Sequence, residues 1–357
     1  SRLGLLGGSY TAAAAAAGVT GSRFLDRFDR RTALGVAMAG LVAATALAAV
    51  AEGLTSLLAA RVLAGIFGGP TASLAMAIVT DSVPVARRGR AMGAVMGSFS
   101  LATVLGVPFG LELARHLGWR APFLGVAALG AILLAFALRR LPPLRAHLGG
   151  QGAPARGRRA LLGRLPLLAY GTVAVVMIGV FSVVPNLSTY LQRNLGYPRD
   201  SLSTLYLFGG LASLVTMRLV GAWVDRFGAF PVVVLGTALH VAAVGALVLA
   251  PGLGVPVVAL FTFYMLSGSF RMVPMQALSS RVPHPADRAA YLSLGSAVHH
   301  AASAIGSISS GFLLATGPRG ELIGMERVAI FAIGLALLVP FGARLQERWL
   351  GARDAAT

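Results

Sequence analysis

The chain alternates between long apolar runs and short polar breaks. Eleven runs, near residues 4 to 22, 33 to 51, 55 to 81, 90 to 115, 120 to 138, 166 to 192, 201 to 224, 230 to 250, 255 to 280, 288 to 315 and 326 to 343, are apolar almost throughout. Each has the length a helix needs to cross a hydrocarbon core of about 30 Å at about 1.5 Å per residue. Hydrocarbon offers no partner for backbone N–H and C=O groups, which leaves helices or closed barrels, and alternating strand patterns are absent. The pattern predicts an all-α polytopic membrane protein. The longest polar stretch, 139–164, holds Pro142, Pro143, Gly149, Gly150, Gly152 and seven arginines. It reads as a basic cytoplasmic linker between an N-terminal helical bundle, 1–138, and a C-terminal helical bundle, 165–357.

The pattern also repeats. Asp26-Arg27-Phe28 returns as Asp225-Arg226-Phe227 and Val83-Pro84 as Val282-Pro283, each 199 positions on. Arg90-Ala91 followed by Gly97-Ser98 returns 198 positions on, as Arg288-Ala289 followed by Gly295-Ser296. Two homologous helix bundles facing each other is the architecture of a secondary transporter, with its site between the halves near the bilayer midplane. Six runs separate one copy of the signature from the next, so each repeat should own six helices. The first half shows five. Ser1 is not an initiator methionine and the apolar run begins almost at once, so the expectation is a twelve-helix protein whose first helix is absent from this sequence.

Composition agrees with the pattern. Of 357 residues 56% are apolar and 12% charged, where a soluble domain carries about 25% charged residues, and the mean hydropathy is +0.78. The net charge of +18 comes from thirty arginines and no lysine. Sorted by the predicted spans, twenty arginines fall on one side and seven on the other (Arg2, Arg115, Arg120, Arg193, Arg199, Arg319, Arg327). Positive loops are retained in the cytoplasm during insertion, which orients the chain in a bacterial inner (plasma) membrane with the arginine-rich side inside. Those loops suit anionic lipid headgroups, and no basic stretch has the interleaved aromatics of a nucleic-acid partner. The absence of cysteine excludes disulfides, thiolate catalysis and cysteine metal sites.

Two loops carry a family signature. Ser22-Arg23-Phe24-Leu25-Asp26-Arg27-Phe28-Asp29-Arg30-Arg31 follows the first visible span, and Gly221-Ala222-Trp223-Val224-Asp225-Arg226-Phe227-Gly228 follows the seventh. Both resemble the GxxxDRxGRR motif of the major facilitator superfamily, and the repeat extends the resemblance over the whole chain. The resemblance implies two pseudo-symmetric six-helix bundles. It also implies a conformational latch in which Asp26 and Asp225, supported by Arg27, Arg30, Arg31 and Arg226, face the N-termini of helices in the opposite half. A carboxylate so placed gains about 0.3 to 1 kcal/mol. Ser22 and Asp29 depart from the motif's glycines, and Ala229-Phe230 replace the second copy's basic pair. A solvated loop that only directs insertion remains the plainer reading.

Arg61-Val62-Leu63-Ala64-Gly65, continuing to Gly68-Gly69-Pro70, resembles the RxxxG element of proton-coupled exporters in that family. An arginine inside an apolar span is costly unless it faces a partner or a wet cavity; snorkelling to the headgroups is the alternative. Gly97, then Gly106-Val107-Pro108-Phe109-Gly110, then Gly118-Trp119-Arg120, resembles the helix-packing motif of drug:proton antiporters and, more closely, of arabinose (sugar) efflux permeases. Gly65, Gly97, Gly106 and Gly110 would open grooves for close packing and Pro108 would bend its helix.

Few other polar groups fall within the spans: Arg271 with Gln276 on one run, His299 and His300 on another, His240, Asn186 beside Pro185, and the aromatic Tyr264. Arg61, Arg271, His299, His300, Asn186, Gln276 and Tyr264 are the candidate substrate or proton pathway. Adjacent residues of a helix point about 100° apart, so one of His299 and His300 should face the cavity. Arg218 and Asp225, seven apart, share a helix face and are expected to tie that helix end. All twelve acids lie near helix ends or in loops, so proton coupling would need the first helix, a histidine or Glu112. No phosphate loop, metal-ligand cluster or nucleophile–base set is present, which predicts no enzyme, no cofactor and no metal. The reading is a monomeric, proton-coupled exporter of a small organic solute. An importer or uniporter of an anionic metabolite, bound by Arg61 and Arg271, and a non-transporting membrane sensor or scaffold are the alternatives.

Overall fold

The computed structural model describes residues 2–25, 27–83, 102–145, 161–283 and 288–355. Eleven α-helices lie among them: α1 (Arg2–Leu25), α2 (Arg30–Ala49), α3 (Leu54–Ser82), α4 (Val107–Leu117), α5 (Ala121–Arg140), α6 (Arg164–Arg193), α7 (Leu202–Phe227), α8 (Ala229–Val244), α9 (Val257–Arg281), α10 (Arg288–Leu313) and α11 (Met325–Ala355). Eight of them, one lengthened by the five-residue π-helical turn Gly245–Leu249, are long and apolar enough to cross a membrane. Helix ends are set by local chemistry. The Asp29 carboxylate caps α2 by accepting from the amides of Arg31 (2.8 Å) and Thr32 (3.4 Å), satisfying donors that a first turn leaves open. Gly118 and Gly228 end α4 and α7 at φ +86 and +84, a backbone region that suits glycine.

The surface turned away from the protein is apolar. Ile132 and Phe136 of α5, Phe312 of α10 and Phe341 of α11 are all well exposed, as lipid-facing positions must be. The larger core lies in the C-terminal half, where Val183, Leu187 and Leu191 of α6 pack with Leu205 of α7, Phe261 of α9 and Met325 of α11.

The two halves meet along two helix pairs, α1 with α10 and α4 with α7. Shifting the residues of α1 by the 199-position repeat places nearly all of them on α7, and shifting those of α4 places most of them on the last two turns of α10. The two seams are therefore the same contact related by the internal duplication. This is the pseudo-symmetric two-bundle arrangement that the repeat predicts.

Three features differ from the sequence expectation. The last helix does not stop near 343 but runs to Ala355. Its final turns are polar on one side, which hides them from a hydropathy reading, yet Leu350 is fully buried and Gln346 donates to Thr172 Oγ1 of α6 at 2.9 Å. Arg353 then donates to the carbonyls of Arg281 and Val282 at the end of α9. Second, a short hairpin, β1 (Ala315–Thr316) and β2 (Leu322–Ile323), closes the turn after α10 and is strapped to α6 by a reciprocal Asn194–Leu322 pair. Third, the five residues Ala102–Gly106 before α4 form a π-helical turn. Pro108 has no N–H to donate, and the wider turn accommodates that loss.

Candidate functional site

In the N-terminal half the RxxxG element acts as one unit. A Cβ on Gly65 would collide with the Tyr10 carbonyl oxygen of α1 and lie 2.8 Å from the Ala13 Cβ; one on Gly68 would lie 2.5 Å from the Tyr10 hydroxyl; one on Gly69 would run into the Ala14 carbonyl. Only missing side chains allow α1 this close to α3. The approach brings the Tyr10 ring across Arg61, whose guanidinium carbon sits 4.8 Å from the ring centroid, within cation–π range. Arg61 is half-buried and forms no ion pair among the described residues. Tyr10 is a partner the sequence reading missed; aromatic residues inside apolar runs carry no spacing signal of their own.

The C-terminal half places its polar residues in two groups. On α6, Pro185 cannot donate to the Phe181 carbonyl one turn earlier, and Ser307 of α10 supplies that hydrogen bond at 3.4 Å. Asn186, fully buried, donates through Nδ2 to the Ser182 carbonyl (3.2 Å) and to Ser310 Oγ of α10 (2.9 Å), while its Oδ1 has no partner among the described residues. A Cβ on Gly306 would collide with the Ile178 carbonyl. Three consecutive turns of α6 and α10 are thus in direct contact, and Gly7 of α1 lies against Pro185 and Ser307 at the same level. His299, two to three turns away on α10, presents its ring to Phe181 at 6.3 Å, with His300 5.9 Å beyond; both histidines are half-buried.

The second group lies between α8 and α9. His240 Nδ1 meets Ser267 Oγ at 3.1 Å and its ring lies 5.6 Å from that of Tyr264. Arg271, two turns along the same face of α9 as Tyr264, is 2% exposed, forms no ion pair among the described residues, and its Nε has no hydrogen-bond partner. Gln276 is exposed and sits five residues on, about 140° round the helix, so it does not join Arg271.

Other expected sites fare differently. Asp26 and Gly97 lie outside the described residues. Arg27, Asp225 and Arg226 are exposed at the arginine-rich end, and Arg226 lies over Phe227 at 5.2 Å. Arg218 and Asp225 form no ion pair among the described residues, so the expected tie of that helix end is not made. Arg31 donates to the Leu138 carbonyl of α5. Asp29, which the sequence reading treats only as a departure from a motif, also accepts from the Leu144 amide (3.4 Å) and from Arg145 Nε (3.0 Å), while the Arg30 amide donates to the Leu144 carbonyl (3.2 Å). Burial opposes ionisation of Asp29, but the Leu144, Arg31 and Thr32 amides and the Arg145 guanidinium outweigh it and hold the carboxyl below its ordinary value. An acid just before a helix was the available signal.

Two of the expected helix-packing glycines, Gly106 and Gly110, require a correction. A Cβ on Gly106 would meet nothing within 4 Å, and one on Gly110 only Pro122 at 4.0 Å. The π turn and the buried Pro108 set the course of α4, and its seam with α7 is made by side chains instead. There Glu112 Oε2 accepts from Ser203 Oγ at 3.0 Å, a hydrogen bond between the two halves, while Oε1 accepts from Arg115 and meets His116 at 2.9 Å.

Two helix bundles related by duplication, joined along two equivalent seams and carrying arginines inside apolar helices, define a polytopic membrane protein of the two-repeat transporter class. The family model for the Major Facilitator Superfamily matches residues 1–307, and the chain belongs to that superfamily. Its members are transporters of small molecules, not enzymes. The chain is 30% identical over 156 residues, 43% of its length, to the uncharacterized MFS-type transporter YbcL of Bacillus subtilis (strain 168). It is 28% identical over 266 residues, 73% of its length, to the chloramphenicol resistance protein of Streptomyces lividans. These matches span 39% of the first relative and 66% of the second. Among solved structures, a D-xylose-proton symporter superposes with a TM-score of 0.73 at 17% identity, covering 95% of this chain and 87% of the other.

Proposed function

We propose that this protein exports a small organic solute across the bacterial inner membrane by alternating access, coupled to protons, with the arginine-rich end in the cytoplasm. The observation that carries the proposal is Arg61. It is a half-buried cation in an apolar helix, brought against Tyr10 by the glycine face on which α1 packs, and it has no carboxylate partner among the described residues. A fixed positive charge at that depth lowers the affinity of a nearby site for a proton. It also attracts an electron-rich group on the solute, which couples the two. The efflux direction is supported by the similarity to a protein named for chloramphenicol resistance. Exposed Asp225, with Arg226 beside it, and the loop holding Asp26 would bias the two access states from the cytoplasmic end.

The full protein in liposomes, with internal pH followed by a dye, tests this against panels of sugars, amphiphilic cations and organic anions. Substrate-triggered proton movement should fall at least tenfold in Arg61→Ala while the variant still inserts and elutes as wild type. Normal proton movement in that variant sinks the coupling role. Arg271 supports a second reading, uptake or uniport of an anionic metabolite, because it is buried without a counter-charge. In that case labelled anion moves without protons and Arg271→Gln stops it.

A further inference from the structure

At the arginine-poor end, a cavity of about 390 Å³ opens on the seam between the halves, within the range of about 300 to 1,000 Å³ typical of small-ligand sites. Three guanidiniums line it: Arg115 at the end of α4, Arg193 at the end of α6, and Arg199 in the turn before α7. This end carries only seven arginines in all, as the retention of positive charge on the other side requires. Three of the seven, from both repeats and three separate elements, converge on one cavity. Insertion topology does not account for that.

The charges there are unequally matched. Arg115 is engaged by Glu112. Arg193 and Arg199 have no ion pair or side-chain hydrogen bond among the described residues, and the nearby Asp200 pairs with neither. Of the neutral groups in the wall, Ser188 is taken by Tyr206, Gln192 donates to the Ser188 carbonyl, and Ser203 donates to Glu112. Thr189 and two forked guanidiniums are left as unspent donors around a space large enough for a ligand. Arginine forks match the geometry of carboxylate and phosphate oxygens.

We propose that this cavity binds a small carboxylate- or phosphate-bearing anion, held by Arg193 and Arg199 with Thr189. This goes beyond the transport reading and does not depend on which solute crosses the membrane. The site straddles α4 on one side and α6 and α7 on the other, so an anion bound there contacts both halves. Its affinity must differ between a closed and an open seam, and its binding shifts that equilibrium toward the closed one.

The test uses the full protein in nanodiscs of phosphatidylcholine alone, titrated with succinate and with inorganic phosphate in a calorimeter at constant ionic strength. Saturable binding of either anion is expected, with Kd rising tenfold or more in R193Q/R199Q. Both arginines are exposed and unpaired, so that variant should melt with the wild type. Thr189→Leu, which fills the cavity without removing charge, should weaken binding as well. The proposal is overturned if neither anion binds, or if both variants bind as tightly as wild type. It is also overturned if the only arginine-dependent effect is stabilisation by phosphatidylglycerol added to the disc, which would make this a lipid headgroup site.

Discussion

Adding one methyl group at Gly65 pits two opposing effects against each other, and the structure decides between them. In a helix interior, alanine is favoured over glycine by about 1 kcal/mol. Against that, the new Cβ would collide with the Tyr10 carbonyl oxygen and lie 2.8 Å from Ala13 Cβ. Those atoms belong to the backbone and first side-chain carbon of α1 and cannot swing aside, so α1 must move as a whole. Overpacking of this kind costs about 1 to 3 kcal/mol. The net expectation for Gly65→Ala is a loss of about 0 to 2 kcal/mol, the packing term offsetting or outweighing propensity. Gly334→Ala on α11, where a Cβ would meet nothing within 4 Å, is the control and should be neutral or stabilising. Equilibrium unfolding in mixed micelles measures both. Gly65→Ala as stable as Gly334→Ala would refute the claim that α1 rests on the glycine face of α3.

Two further predictions rest on single contacts. Ser307→Ala strips the Phe181 carbonyl of its donor, at about 0.5 to 1.5 kcal/mol. Pro185→Ala restores the amide that would serve it instead, so the double variant should recover most of the loss, and simple additivity would count against the repair. The Asp29 carboxyl sits below its ordinary value, so the stabilisation it provides is complete above its unfolded pKa near about 3.9 and is lost as pH falls further through its folded value. The stability gap between wild type and Asp29→Asn should therefore hold steady from neutral pH down to about pH 5 and shrink below about pH 4. A gap that persists unchanged at about pH 3 excludes an ionised Asp29 as its source.

Much of the fold was legible because hydrocarbon imposes one rule on the whole chain. Length and apolarity placed the ends of α2, α3, α5, α6 and α9 close to where they lie, and the DRF repeat predicted two facing bundles. The last turns of α11 escaped because Gln346, Leu350 and Arg353 are placed by contacts with α6 and α9, partners remote in sequence. At the site, Arg61 and Arg271 stood out as charges in apolar runs. Tyr10 did not, nor did the meeting of Arg115 with Arg193 and Arg199, since each is unremarkable until folding brings it to its neighbours. Gly106 was misread for the opposite reason: its spacing suggested a groove, whereas the π turn before Pro108 governs that segment.

The two halves share close glycine contacts but differ in their buried polar pairs, and this bears on how the sequence can change. Along α1 and α3 the contact is glycine against backbone, which has no tolerance for size. Along α6, α10 and α11 glycine also meets backbone, Gly306 against the Ile178 carbonyl, but Asn186 with Ser310 and Gln346 with Thr172 are added, and these pairs have no tolerance for lost polarity. A library of variants should show the N-terminal half rejecting every larger residue at Gly65 and Gly69 while accepting polar changes nearby. The C-terminal half should reject larger residues at Gly306 and, in addition, changes that remove hydrogen-bonding capacity at Asn186 or Gln346. Descendants of one duplicated ancestor would then drift along separate routes, each half constrained by the kind of glue it inherited.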